Sequence, residues 1–437
     1  MKEFDAPDVQ ACIDSLCQAT HPLQAMSGWS CLSQPNPDLY AMVALKSHHI
    51  NVLPPGVNRY LNKPHDYFVP YFSRENLFFL DDEIFAEMTA MRNAQIRIDY
   101  TLSFDSNMAT YVDALVQGRP LEKVPEAEIV LKDILRDNLN FDGLFYMIEN
   151  VKNVRRHMHL SNEKPIKFWK ALDRDFRKNM VSLQLFRGID CAEFRATEQM
   201  KSEFTYREAA RTAIEFCYRF YVSDLGRSQM KIFELRQRLL LLHLIGTARI
   251  QIASAKSPKN KMKEYFAFVH EVVGAYFDRE AVIAHKFFCD RKNVPMLDKK
   301  IQKGRKKTDR KKKAGFLKEL DNIAWDMSSP RFMEKLILSG GEGKYIVPMF
   351  VTIDTDLRQM MNAYPIKGVL FNRKTGAFAP LPEISTETYF KKHGCDRDLE
   401  YLYSEPVRSE RLSREVPDLK TLNRKIRSEF RKLRKLV

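Results

Sequence analysis

The chain has 437 residues, 44% hydrophobic and 29% charged, enough for a large buried core and about two or three domains. Its 71 Lys and Arg against 56 Asp and Glu leave a net charge of +15, which favours a polyanionic partner without saying which. Neither GxxxxGK(S/T) nor GxGxxG occurs, which disfavours an NTPase or a dinucleotide enzyme.

Seven cysteines are scattered without a CxxC pair, an odd count that suits reduced thiols. Cys12, Cys17, His21 and Cys31 lie close together, but their spacing fits no common zinc module. The opening MKEFDAP is polar and acidic, unlike a signal peptide. The longest apolar run, Leu239 to Ala248, is interrupted by His243 and is too short to span a bilayer. The expectation is a soluble, cytoplasmic protein with no membrane association.

A helix is expected over Asp8 to Ala19 and a strand over Tyr40 to Leu45, with a Pro/Gly-rich loop from Val52 to Leu61. Phe78 to Met91 reads as a helix capped near Asp81 or Asp82. Ile96 to Phe104 (IRIDYTLSF) alternates apolar and polar residues and is rich in β-formers, so it reads as a strand. It leads into Asp105-Ser106-Asn107 and a helix from Met108 to Val116. Glu126 to Asn153 reads as helical, with Glu149 carried beside the apolar face of Leu139, Leu144, Tyr146, Met147 and Ile148.

From about Lys164 to Phe288 the pattern is helical almost throughout, without an internal repeat. Lys299 to Lys313 then holds ten basic residues in fifteen with a single acid, Asp309, and reads as a solvated linker. Phe316 to Leu338 is expected as a helix pair broken near Pro330, followed by strands at Tyr345 to Ile353 and Ile366 to Phe371. A basic helix, Leu419 to Leu436, ends the chain.

Three acids stand where a strand ends or a helix turns inward: Asp105 in SFDSN, Asp326 in LDNIAWDM, read as the head of a helix, and Asp354 in MFVTIDTDL. Acids at the carboxyl ends of parallel strands converge in a crevice although far apart in sequence. Gathered carboxylates repel unless a hard divalent cation neutralises them, and such a cation activates water and stabilises phosphoryl charge. An Asp after a strand also serves as the cap of the next helix, so Asp105 reads equally as cap or ligand.

SFDSNM resembles the first strand and Asp-x-Asn signature of PIN-domain nucleases. Glu149 in YMIEN resembles that family's acid on an early helix, and NIAWDMSSPRFMEKL followed by MFVTIDTDL resembles its late helix and Thr-x-Asp strand. The resemblance implies an α/β fold: a PIN-like, mostly parallel sheet with helices on both faces and a large all-helical insertion. It implies that Asp105, Glu149, Asp326 and Asp354 hold Mg2+ or Mn2+, with Asn107 and Thr352 supporting them through hydrogen bonds. Asp321 stands as an alternative to Asp326, and Asp356 as a helper of Asp354. The expected organisation is a mixed extension over 1–95, core over 96–160, helical insertion over 161–298, basic linker over 299–315, core over 316–380 and basic extension over 381–437.

The implied activity is metal-dependent endonuclease cleavage, with RNA favoured over DNA. A toxin-like or phage-defence role follows by analogy, with a protein inhibitor or regulator as a further partner. Lys306, Lys307, Arg310, Lys311, Arg427 and Arg431 are the expected contacts to the nucleic-acid backbone. Two other readings stand beside this one. The first is a non-catalytic nucleic-acid-binding protein on the same scaffold. The second is a metal-independent HEPN-type ribonuclease, because Arg238 and His243 have the R-x4-H spacing.

Overall fold

The computed structural model describes residues 4, 6–46, 53–61, 67–74, 76–92, 96–160, 165–305, 310–341, 343–413 and 417–436. Among these, eight strands form two four-stranded sheets: β1 (Leu39–Ala44), β2 (Phe68–Pro70), β3 (Leu77–Leu80), β4 (Ile98–Phe104), β5 (Phe141–Asp142), β6 (Tyr345–Val351), β7 (Ile366–Asn372) and β8 (Phe378–Pro382). One sheet has the order β3-β1-β7-β8 and is antiparallel throughout. The other has the order β2-β6-β4-β5, with β4 parallel to both β5 and β6, and β2 antiparallel to β6. The mixed α/β class therefore holds, but among the described residues parallel strand pairing is limited to β4, β5 and β6, with one isolated parallel bridge between Phe72 and Ile366. Every residue of β6 is buried, which is why its sequence is an almost unbroken apolar run.

Several local expectations change. Phe78 to Leu80 belong to β3, and the helix that follows spans Asp82–Thr89 with Asp81 accepting from the Ile84 N–H at 3.0 Å. A four-residue apolar run has no readable period, and pairing with β1 decides its state. Pro55 starts a short helix, Pro55–Leu61, because proline suits a first helical turn that needs no N–H. The expected helix over Glu126 to Asn153 is broken into Pro125–Arg136 and Leu144–Glu149, with β5 between them. Much of the basic run is helical, ending Pro295–Arg305 and opening Arg310–Asp326.

The helical block is not a detached appendage. One buried apolar cluster runs from Met42 on β1, through Leu240 and Ile245 of the 30-residue helix Asp224–Ala253, to Leu433 on the terminal helix Leu419–Leu436. Phe145 packs edge-on to Phe350 of β6 at 4.4 Å, joining the helix that carries Glu149 to the mixed sheet. A smaller cluster, including Cys12, Leu16 and Trp29, seats the two N-terminal helices on the antiparallel sheet. No helix among the described residues is long and apolar enough to cross a membrane.

A buried ionic cluster ties the helices to the strands. Arg331, on helix Ser329–Ser339, contacts Glu334 at 2.9 Å and Glu280, on helix Asp278–Cys289, at 3.6 Å. Tyr71, in the connection after β2, donates to Glu334 at 3.2 Å. Removing the arginine leaves two buried acids without their cation, a change that costs roughly 3–5 kcal/mol. Arg331→Met is expected to lower unfolding stability by about that much in urea denaturation; a loss under about 1 kcal/mol would show that the cluster does not hold the two parts together.

Candidate active site

The parallel register brings the first and last acids together. Phe104 of β4 lies opposite Val351 of β6, so Asp105 and Thr352 leave the two strands side by side. Thr352 Oγ1 donates to Asp105 Oδ2 at 2.7 Å and accepts the Asp354 N–H at 3.0 Å, bridging both acids as expected of a supporting residue. Asp105 also caps helix Ser106–Val116, its Oδ1 accepting from the Met108 N–H at 2.6 Å. Asp354 caps helix Thr355–Asn362 through the Asp356 and Leu357 N–H groups at 2.9 and 3.1 Å. Cap and cleft acid are thus the same residue in both places.

On the far side of β4, β5 delivers the chain through Gly143 into helix Leu144–Glu149. Its last residue, Glu149, accepts from the Ser106 N–H at 3.0 Å and from the Ser106 hydroxyl. Asp326 is the final residue of helix Arg310–Asp326, not the head of one as the sequence suggests. A carboxylate at a helix C-terminus faces the negative end of the dipole, and its side chain accepts no hydrogen bond among the described residues. Local structure offers nothing that favours an acid there.

These four acids line one cleft of about 830 Å3, together with Ser106, Asn107, Lys152, Lys299, Lys300, Glu319, Trp325 and Asp356. Burial pushes Asp105 up to about 6, opposed by its Met108 and Thr352 hydrogen bonds and reinforced by the charge of Asp354. Glu149 is raised by burial and then by the charges of Asp326 and Asp105. Asp326 is raised by burial and then by Asp354 and Asp105, while Lys152 and Lys300 pull it down. Asp105, Glu149 and Asp326 are thus driven toward the protonated form first by burial and then by neighbouring acids.

An all-oxygen set of mutually repelling carboxylates has the chemistry that Mg2+ or Mn2+ selects. The acids are turned aside by local bonds, Glu149 onto Ser106 and Asp354 onto its own helix. Among the described residues, no group of three or more His, Cys, Asp or Glu side chains is arranged to hold an ion as it stands. The donor types are those that a hard divalent cation takes.

The other expected residues divide. Asn107 lines the cleft but is exposed, and no hydrogen bond from its side chain supports an acid among the described residues. Asp356 lines the cleft and pairs with Lys299 at 2.6 Å. Asp321 does not line it: Arg238 takes its carboxylate at 2.7 Å and Gln237 at 3.0 Å, so it is no substitute for Asp326. Arg427 and Arg431 are exposed on the terminal helix and are not among the residues that line the cleft. Lys306 and Lys307 lie outside the described residues, and Arg310 and Lys311 open helix Arg310–Asp326.

The HEPN-type pairing is not formed. His243 is 2% exposed, with one ring nitrogen on the Tyr265 hydroxyl at 2.8 Å and the other on the Ala275 carbonyl at 3.1 Å. Arg238 is committed to Asp321. Neither is presented to a phosphate.

Sequence reasoning overlooked Ser106, Lys152 and Glu319. Ser106 sits inside the SFDSN motif, and a hydroxyl beside a proposed ligand was the available signal. Lys152, whose ammonium reaches Asn322 at 2.8 Å, follows Glu149 by three residues, one helical turn on. Glu319, paired with Lys300 at 2.6 Å, had no local mark. Comparison of the chain with protein-family models, with curated proteins and with solved structures gives no match to any of them.

Acids whose folded pKa lies above the unfolded value near 4 bind extra protons in the native state. The stability they contribute is present in acid and is lost as pH rises through the folded value. Without divalent cation, Asp326→Asn is therefore expected to be more stable than the parent at pH 8 by on the order of 1–3 kcal/mol, and so to unfold at a higher temperature, with the gain shrinking toward pH 4.5. Calorimetry giving equal melting temperatures at pH 8 would refute the mutual repulsion.

Proposed function

We propose that the protein is a metal-dependent nuclease with a PIN-like core around β4 to β6, cutting single-stranded nucleic acid, RNA in preference to DNA. One observation carries the reading: four acids from separate segments, Asp105, Glu149, Asp326 and Asp354, line a single cleft. The excess of positive charge and the lysines at the cleft support a polyanionic substrate.

In this reading Asp105, Glu149, Asp326 and Asp354 hold the cation, which would supply an acidified water and polarise a phosphoryl oxygen. Thr352 orients Asp105 and fixes the backbone of Asp354, so both carboxylates keep one geometry. Ser106 holds Glu149 against the same edge. Lys152, Lys299 and Lys300 are placed to attract the phosphate backbone without reading bases. The buried indole N–H of Trp325, which has no acceptor among the described residues, is a further donor beside the cleft.

Labelled single-stranded RNA and DNA, incubated with Mn2+, Mg2+ or EDTA, provide the test. Cleavage is expected with metal, absent with EDTA, and reduced about 100-fold or more in Asp354→Asn. Thr352→Val is expected to lose about 10- to 100-fold while still folding. Tight, salt-sensitive binding with no cleavage under any of these conditions would overturn the catalytic reading and leave a nucleic-acid-binding protein.

A further inference from the structure

A second concave place lies where the two sheets meet. Two residues past β2, Phe72 forms an isolated parallel bridge with Ile366, the first residue of β7, and the Ser73 N–H donates to the Ile366 carbonyl at 2.7 Å. Beside this seam is a cavity of about 260 Å3, lined among others by Ser73, Arg279, Asn362, Tyr364 and Glu383. Arg279, in the first turn of helix Asp278–Cys289, is 6% exposed. Its Nε and Nη1 are buried and meet no hydrogen-bond acceptor among the described residues, and no carboxylate there forms an ion pair with it.

A guanidinium stays charged at any pH a protein meets, so a buried one calls for an acceptor or a counter-charge. Arg331 has both, from Glu334 at 2.9 Å and Glu280 at 3.6 Å. Arg279 has neither. Glu280, next to it in sequence, is turned to Arg331, and Asp278 does not line the cavity.

We propose that this cavity binds a small oxyanion, a phosphate or carboxylate group, on the guanidinium of Arg279. The Tyr364 ring covers one face of that group, with Cζ 5.7 Å from the ring centroid. All five N–H bonds lie in the guanidinium plane, so stacking leaves the edges for an acceptor, and the planar fork matches two oxygens of such an anion. Tyr364 is itself held, its hydroxyl 3.0 Å from that of Thr386. Ser73 and Asn362 are exposed and mark the side open to solvent. The acid that lines the cavity, Glu383, accepts from the Ser73 hydroxyl at 2.9 Å and pairs with Arg74 at 3.3 Å, which offsets its charge. The volume falls short of the roughly 300–1,000 Å3 that drug-sized ligands occupy, so the occupant is small.

This place is distinct from the acidic cleft. Met361 and Asn362, which line the cavity, end helix Thr355–Asn362, while Asp354 caps its start about 12 Å away. A bound anion would tie helix Asp278–Cys289 to the seam between the sheets.

The test uses the full chain, freed of phosphate and titrated in a calorimeter with inorganic phosphate or with acetate, at an ionic strength held constant with chloride. Saturable binding is expected, and the tighter of the two anions names the group that the cavity takes. Arg279→Met is expected to lose about 100-fold in affinity. Asn362→Asp, on the exposed rim, is expected to fold as the parent does and to bind about 10-fold more weakly, because it sets a like charge at the mouth. Lys152→Ala is expected to bind as tightly as the parent, which separates this cavity from the lysines of the acidic cleft. No saturable binding of either anion to the parent, undiminished affinity in Arg279→Met or Asn362→Asp, or loss of binding in Lys152→Ala would overturn the proposal.

Discussion

Parallel pairing of β4 with β6 is the constraint on which the cleft depends. The two strands are 240 residues apart in the chain, yet their register sets Phe104 opposite Val351. Each strand therefore ends at the same edge, and the residues just beyond, Asp105 and Thr352 to Asp354, meet with no further guidance. A slip by one residue would turn every β6 side chain to the other face and bury the wrong set. Because β6 is buried along its whole length, the core resists such a slip.

What the register assembles is electrostatically unfavourable. Asp105, Glu149 and Asp326 are all raised first by burial and then by the charge of neighbouring acids, Asp354 among them. The fold offsets part of this with two helix N-termini, which supply N–H donors to Asp105 and Asp354 and favour negative charge there. Ser106 and Thr352 add hydroxyl donors. Asp326 receives neither kind of help and sits at the unfavourable end of its helix. Strain of this sort, concentrated in one concave place, is the usual mark of a site kept for its chemistry rather than for stability.

Two helices that follow the insertion complete the cleft. Helix Pro295–Arg305 contributes Lys299 and Lys300, and helix Arg310–Asp326 contributes Glu319, Trp325 and Asp326. Met296, Ile301, Phe316 and Ile323 place these helices in the same continuous apolar core as the strands. Motion of these helices would therefore alter the spacing of Asp326 from Asp105.

Much was legible in the chain itself. The alternation of IRIDYTLSF and the apolar run YIVPMFV determined two strands, because period and β-branching are local properties. The acids after them were marked by position, and Thr352 by its place in the Thr-x-Asp. Other features were decided only by tertiary structure. LFFL became a strand because β1 was there to pair with it, and the parallel set stopped at three strands because the remaining strands found antiparallel partners. Asp321 and Asp326, five residues apart on one helix, look alike in sequence. The opposite face presents Asp321 to Arg238, while the C-terminal end delivers Asp326 to the cleft. Arg238 and His243 matched a motif, but packing of Tyr265 and the Ala275 carbonyl around the imidazole closed it off. A local pattern states what a residue is able to do; which neighbours desolvate it, pair with it or leave it bare is set by contacts across hundreds of residues.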